Sequence, residues 1–205
     1  MTKIALVAFG ILATTIGITL AEKAEIGHPA PEFNLQDTKG ATHNLKHYKG
    51  KFVVLEWYNP DCPFVCKHYS SHNMQKLQKE YTQKGVVWLA IDSSAPGQQG
   101  NHPAKELNET AQKVDAKWTA LLIDSDGKVG HLYGATTTPH MFIINKEGKI
   151  VYKGAIDDKP TAEIADIETA KNLVRAALDE AMADKEVTTS SWKSYGCNVK
   201  YASGN

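Results

Sequence analysis

The feature that most constrains this chain is a strand that runs into a helix through a cysteine. Residues 52–58, Phe-Val-Val-Leu-Glu-Trp-Tyr, are almost continuously apolar, β-branched or aromatic, the pattern of a strand buried on both faces. Asn59-Pro60-Asp61 is a turn cluster, and Pro63 suits the first position of a helix because its missing N–H would go unpaired there. Cys62 therefore sits at a helix N-terminus, where unpaired N–H groups and the positive end of the dipole favour a thiolate. A thiolate is the form that acts as nucleophile and soft-metal ligand. Cys66 follows one helical turn later on the same face.

The rest of the pattern extends this unit. Val65, Tyr69, Leu77 and Tyr81 mark the apolar face of a helix over 63–84, which Gly85 stops. Further strands are expected at 86–91, 118–123, 141–144 and 149–153, the last two joined by the hairpin turn Asn145-Lys146-Glu147-Gly148. Helices are expected at 104–116, at 129–133 and along a late stripe of Ala170, Val174, Ala177, Leu178 and Ala181. Residues 28–44 read as a turn-rich lead-in with short edge strands, residues 93–102 as a flexible loop, and residues 187–205 as a polar, weakly structured tail. Alternating strands and helices followed by a hairpin predict an α/β fold, with a central mixed β-sheet flanked by helices.

Composition narrows the function classes. Lys plus Arg and Asp plus Glu are balanced at 23 each, so neither nucleic acid nor an anionic membrane surface is an expected partner. Lys3 followed by the apolar or small residues 4–20 and Ala21 reads as a signal peptide over 1–21, or as a membrane anchor if it is not cleaved. The expected division is this leader, a domain over 22–186, and the tail 187–205 carrying Cys197. Export, periplasmic or secreted, permits disulfides, and no stable membrane insertion is expected after cleavage. Three cysteines, Cys62, Cys66 and Cys197, leave at least one thiol free or paired outside the chain.

Ala30-Pro31-Glu32-Phe33-Asn34-Leu35, the Cys site at 52–66 and the segment Thr137-Thr138-Pro139-His140-Met141-Phe142-Ile143-Ile144-Asn145 resemble the redoxin (AhpC/TSA) branch of the thioredoxin superfamily. Asn59-Pro60-Asp61-Cys62-Pro63 is similar to the N-x-x-C-P motif of its peroxiredoxin-like, thioredoxin-domain members, and Gly196-Cys197-Asn198-Val199-Lys200 is similar to their ending. The resemblance implies a thioredoxin-like fold, with Pro139 as the cis-proline facing the cysteine site. It implies an oxidoreductase in which Cys62 attacks the disulfide of a protein thiol partner, Cys66 or Cys197 resolves the intermediate, and Pro139 keeps the partner strand in register.

The chain departs from that pattern in two ways. Cys62 and Cys66 form C-x-x-x-C rather than C-x-x-C; at helical i, i+4 positions the Cβ atoms are about 5–6 Å apart, wider than the roughly 3.5–4.5 Å of a relaxed disulfide. The peroxidatic set P-x-x-x-T-x-x-C is also missing. With Cys66 as reference, Asn59 and Pro63 occupy its positions; with Cys62, Leu55 and Asn59 do. The family's peroxide-stabilising arginine is replaced by Pro139, and Arg175, the chain's one arginine, lies on the late helix. Efficient peroxidase activity is therefore not expected. Two alternatives remain open. Cys-Pro-Phe-Val-Cys is similar to the C-P-x-V-C of Sco-type copper chaperones, so that Cys62, Cys66 and His140 would hold Cu(I); otherwise no cofactor is expected. The fold could also serve as a binding module with the 93–102 loop as its surface. His68 and His72 are read as a solvated helix surface.

Overall fold

The computed structural model describes residues 23–203. Its main sheet has seven strands in the order β2-β1-β5-β4-β3-β7-β8. These are β1 (Asn34–Asp37), β2 (Thr42–Asn44), β3 (Val53–Trp57), β4 (Val87–Asp92), β5 (Ala120–Ile123), β7 (His140–Ile144) and β8 (Ile150–Gly154). β3, β4 and β5 are parallel, and β1, β7 and β8 join antiparallel. This is the expected mixed α/β sheet, with fully buried strands at its centre. β6 (Thr137–Thr138) pairs only with β9 (Cys197–Asn198), outside the main sheet.

Strand alternation divides the core into two layers. Val54, Tyr58, Trp88, Met141 and Ile143 face α1 (Pro63–Ser70), α2 (Asn73–Gln83) and α5 (Leu173–Met182). Val53, Leu55, Trp57, Leu89, Ile91, Phe142 and Ile144 face Val129 and Tyr133 of α4 (Lys128–Tyr133), together with Ala24, Ala30 and Phe33. Each such side chain taken fully from water contributes about 1.5–3 kcal/mol. α3 (Ala104–Lys113) anchors to the first layer through Leu107.

Five expectations are corrected. The helix over 63–84 is two helices, interrupted at Ser71 and His72. His72 is left-handed at φ 59°, and the Ser71 hydroxyl bonds the His68 carbonyl at 3.1 Å, the local competition by which serine ends helices. His68 is consequently buried, not solvated: Asn73 Nδ2 lies 2.9 Å from its Nδ1, and burial, then the neighbouring Lys67, push its pKa down to about 3. His72 stays exposed. The late helix begins at Leu173, so Ala170 is outside it; Asn172 caps it by accepting from the Arg175 N–H at 2.8 Å.

The 93–102 loop is not loose. Ser93, Ser94 and Ala95 are buried, Asn59 Nδ2 donates to the Gln99 carbonyl at 3.0 Å, and Gly100 N–H donates to Asp61 at 3.1 Å. The tail is ordered too. Lys153 and Ser190 to Trp192 exchange backbone hydrogen bonds, Val199 is buried, and Tyr201 donates to the Ala135 carbonyl at 2.8 Å. Sequence polarity hid this docking because backbone groups and tyrosine hydroxyls, rather than an apolar stripe, hold the segment. The expected leader over 1–21 lies outside the described residues, among which no helix is long and apolar enough to cross a membrane.

Candidate functional site

Cys62 occupies the cap position of α1, with extended backbone (φ −85°, ψ 122°), and Pro63 opens the helix. Its carbonyl accepts the Cys66 N–H at 2.9 Å. The side chain makes no capping bond to the helix; it turns inward and is fully buried. There Cys62 Sγ donates to the Thr138 carbonyl at 3.0 Å and lies 2.9 Å from Cys197 Sγ. The Thr138–Pro139 peptide bond is cis, as expected. Cys62, Pro139 and Cys197 thus meet at one point, built from α1, the β6–β7 junction and β9.

Cys66 lies apart. Its thiol is exposed and faces the Pro60 carbonyl at 3.4 Å. Partial burial, then the nearby Cys62 and Asp61, raise its pKa. Burial first, then the hydrogen bond with Cys62, push the Cys197 thiol up to about 12. Cys197 therefore keeps its proton at neutral pH while it rests against Cys62. All three cysteines are free. A disulfide needs about 2.05 Å between sulfurs, so Cys62 and Cys197 meet here as two thiols in hydrogen-bond contact.

β9 brings Cys197 there. Thr138 pairs with Cys197 and Thr137 with Asn198, and Val199 N–H donates to the Thr136 carbonyl at 3.1 Å. Gly196 passes so close to Thr138 that a Cβ would lie 2.1 Å from its carbonyl oxygen, and its φ of +140° is one that other residues rarely adopt. Upstream, the Tyr195 hydroxyl donates to Asp157, and its ring packs edge-on against Phe64 at 5.9 Å. Buried Lys67 reaches the Lys159 carbonyl at 2.9 Å and Asp157 at 3.8 Å. Asp157→Ala strands that ammonium group and should cost about 3–5 kcal/mol. Urea unfolding measures it; a loss below about 1 kcal/mol, the worth of an exposed pair, would show that Lys67 needs no partner.

His140, the proposed third copper ligand, does not join the cysteines. β7 alternates, so Met141 and Ile143 share the Cys62 layer while His140 points away with Phe142, 4.7 Å from its ring. Burial, then Lys153, lower its pKa to about 4. Among the described residues no cluster of three His, Cys, Asp or Glu side chains is placed to hold a metal. The residues present do not fit copper. Arg175 is likewise committed elsewhere, to Glu80 at 2.7 Å and over the Tyr81 ring.

One feature was missed in the sequence. Glu56, six positions before Cys62, is fully buried. It accepts from Tyr69 at 2.7 Å, Trp88 at 2.7 Å and Gln78 at 3.2 Å. Burial outweighs those bonds and raises its pKa to about 7. An acidic residue inside an otherwise apolar strand was the available signal.

Known proteins match this architecture. The AhpC/TSA family model covers residues 26–153. A thiol-disulfide oxidoreductase ResA of Bacillus cereus is 30% identical over 148 residues, covering 69% of this chain and 80% of that protein. An uncharacterized conserved protein from Geobacillus kaustophilus superposes with a TM-score of 0.76 at 26% identity, over 89% of this chain and 95% of its own. A hypothetical protein from Sinorhizobium meliloti gives 0.74 at 25%, over 88% and 96%. The chain belongs to the AhpC/TSA family, within the redoxin branch of the thioredoxin superfamily.

Proposed function

We propose that the protein is a thiol-disulfide oxidoreductase whose working pair is Cys62 and Cys197. The observation that carries this is the meeting of the two sulfurs at 2.9 Å beside Pro139; the similarity to the ResA oxidoreductase supports the same chemistry. Cys62 attacks one sulfur of a partner's disulfide, the partner's other sulfur leaves as a thiolate, and a mixed disulfide forms. Cys197 then gives up its proton and attacks Cys62 Sγ, releasing the partner's second thiol. Two electrons pass to the partner, and a Cys62–Cys197 disulfide remains for an external dithiol to reduce. Cys66 is a bystander, because its sulfur faces Pro60. The leader-like N-terminus supports export, where such exchange has substrates.

Mild oxidation followed by combined tryptic and chymotryptic digestion tests the pairing, since cleavage after Phe64 separates Cys62 from Cys66. The expected product links the Cys62 peptide to the Cys197 peptide, with Cys66 free. A Cys62–Cys66 link would overturn it. Insulin reduction by the dithiol form should fall to background in Cys62→Ser. Peroxide consumption at a peroxidase's rate would instead move the chain to peroxidatic chemistry.

A further inference from the structure

The tail occupies the place a partner would need. It lies antiparallel on β6, hydrogen-bonds that strand's backbone, and sets a thiol against the attacking sulfur. With the tail seated, Cys62 has no exposed surface. An extended backbone on a strand edge presenting a cysteine is the chemistry of a polypeptide thiol partner, here supplied from within the chain.

We propose that residues 194–198 are an internal stand-in for the partner. The tail must leave before a partner disulfide reaches Cys62, and the segment it imitates is extended, with glycine immediately before the reactive cysteine. This rests on Cys62 being the exchange thiol. The glycine requirement comes from Gly196, where a Cβ would lie 2.1 Å from Thr138 O, 2.8 Å from its carbon and 3.3 Å from Pro139 Cδ. That carbonyl also accepts the Cys62 thiol, so moving it aside disturbs the attacking sulfur. An incoming peptide in the same register meets the same carbonyl. Departure is feasible because β9 is only two residues long. Tyr195 holds it on one side, on Asp157 and Phe64. Lys200 and Tyr201 hold it on the other: the Lys200 carbonyl accepts from Ala95 N–H at 2.8 Å, and the Tyr201 ring stacks 4.0 Å from His131.

The test uses full-length Cys66→Ser/Cys197→Ser protein, in which Cys62 is the one thiol, with and without Gly196→Val to force the tail off Thr138. The probes are the heptapeptide Ser-Tyr-Gly-Cys-Asn-Val-Lys and its counterpart with alanine before cysteine. Each carries its cysteine as a mixed disulfide with thionitrobenzoate. Cys62 attacks the peptide sulfur, the nitrobenzoate disulfide bond breaks, and the coloured thiolate leaves as the protein–peptide disulfide forms. Gly196→Val should speed the glycine peptide at least about tenfold, and the glycine peptide should then outpace the alanine peptide at least about tenfold, the scale expected of a backbone clash. Tyr195→Phe, which removes the hydroxyl that faces Asp157 and His68 and keeps the ring, is a second opened form should Gly196→Val fail to fold. No acceleration on opening, or equal rates for the two peptides, would overturn the proposal while leaving exchange at Cys62 intact. Failure of Cys62 in the opened protein to react even with dithiobis(nitrobenzoate) would overturn the exchange chemistry itself.

Discussion

Cys197→Ser protein should stop halfway through exchange and accumulate a covalent complex. Serine preserves the size and seat of the side chain beside Thr138 but cannot attack Cys62 Sγ, so the partner stays linked through one disulfide. Turnover should fall at least about 100-fold, because resolution then waits for an outside thiol with no effective concentration advantage. Cys66→Ser should stay within about threefold of the parent, since its sulfur faces Pro60 instead of Cys62. Non-reducing electrophoresis after mixing with reduced-and-reoxidised insulin displays the trapped species, and single-turnover kinetics gives the rates. If the complex accumulates in Cys66→Ser and not in Cys197→Ser, the resolving thiol has been misassigned.

The second large effect is on stability. Glu56 has a folded pKa of about 7 against an ordinary value of 4.5. Between those values the folded protein holds a proton that the unfolded chain has lost. The folded state is thus favoured by low pH: the contribution is fully present below 4.5 and is lost as pH rises to 7, amounting to about 3 kcal/mol. Glu56→Gln has no such proton, so its stability relative to the parent should rise by about that amount between pH 4.5 and 7, equivalent to roughly 6–12 °C in Tm. Asp92, raised to about 6 chiefly by burial, has the same sign as Glu56. His68 and His140, lowered to about 3 and 4, oppose it by losing stability as pH falls below 6.5. All three remain in both proteins and cancel in the difference. Urea unfolding of the pair from pH 4 to 8 measures it. A difference that stays flat across the window would show that Glu56 is ionised in the folded state.

The central strands were legible because continuous apolar runs bounded by turn residues have few alternatives, and 52–58 became β3 within a residue at each end. Cys62, Pro139 and their meeting followed from the junction and the resemblance. Three things were not legible. The break at His72 depends on Ser71 competing for helix carbonyls, a local contest that the apolar stripe through Tyr69 and Leu77 conceals. The distance between His140 and the cysteines turned on one residue of strand register, which reverses the face a side chain takes. The contact of Cys62 with Cys197 instead of Cys66 turned on a tail whose hold comes from strand pairing with Thr137 and Thr138 and from two tyrosine hydroxyls. None of these leaves a periodic trace in a sequence.

The pairing of Cys62 with a thiol 135 residues downstream also orders events at biosynthesis. Cys62 and Cys66 emerge together, while Cys197 lies far downstream of both. An oxidant that meets the nascent chain early can therefore join only the near neighbours, and the proposed Cys62–Cys197 link has to wait for the segment that carries Cys197. Maturation in an oxidising compartment should accordingly pass through a short-lived Cys62–Cys66 isomer, which in pulse-chase samples quenched with acid migrates close to the reduced chain and is replaced by the faster-migrating, large-loop Cys62–Cys197 form.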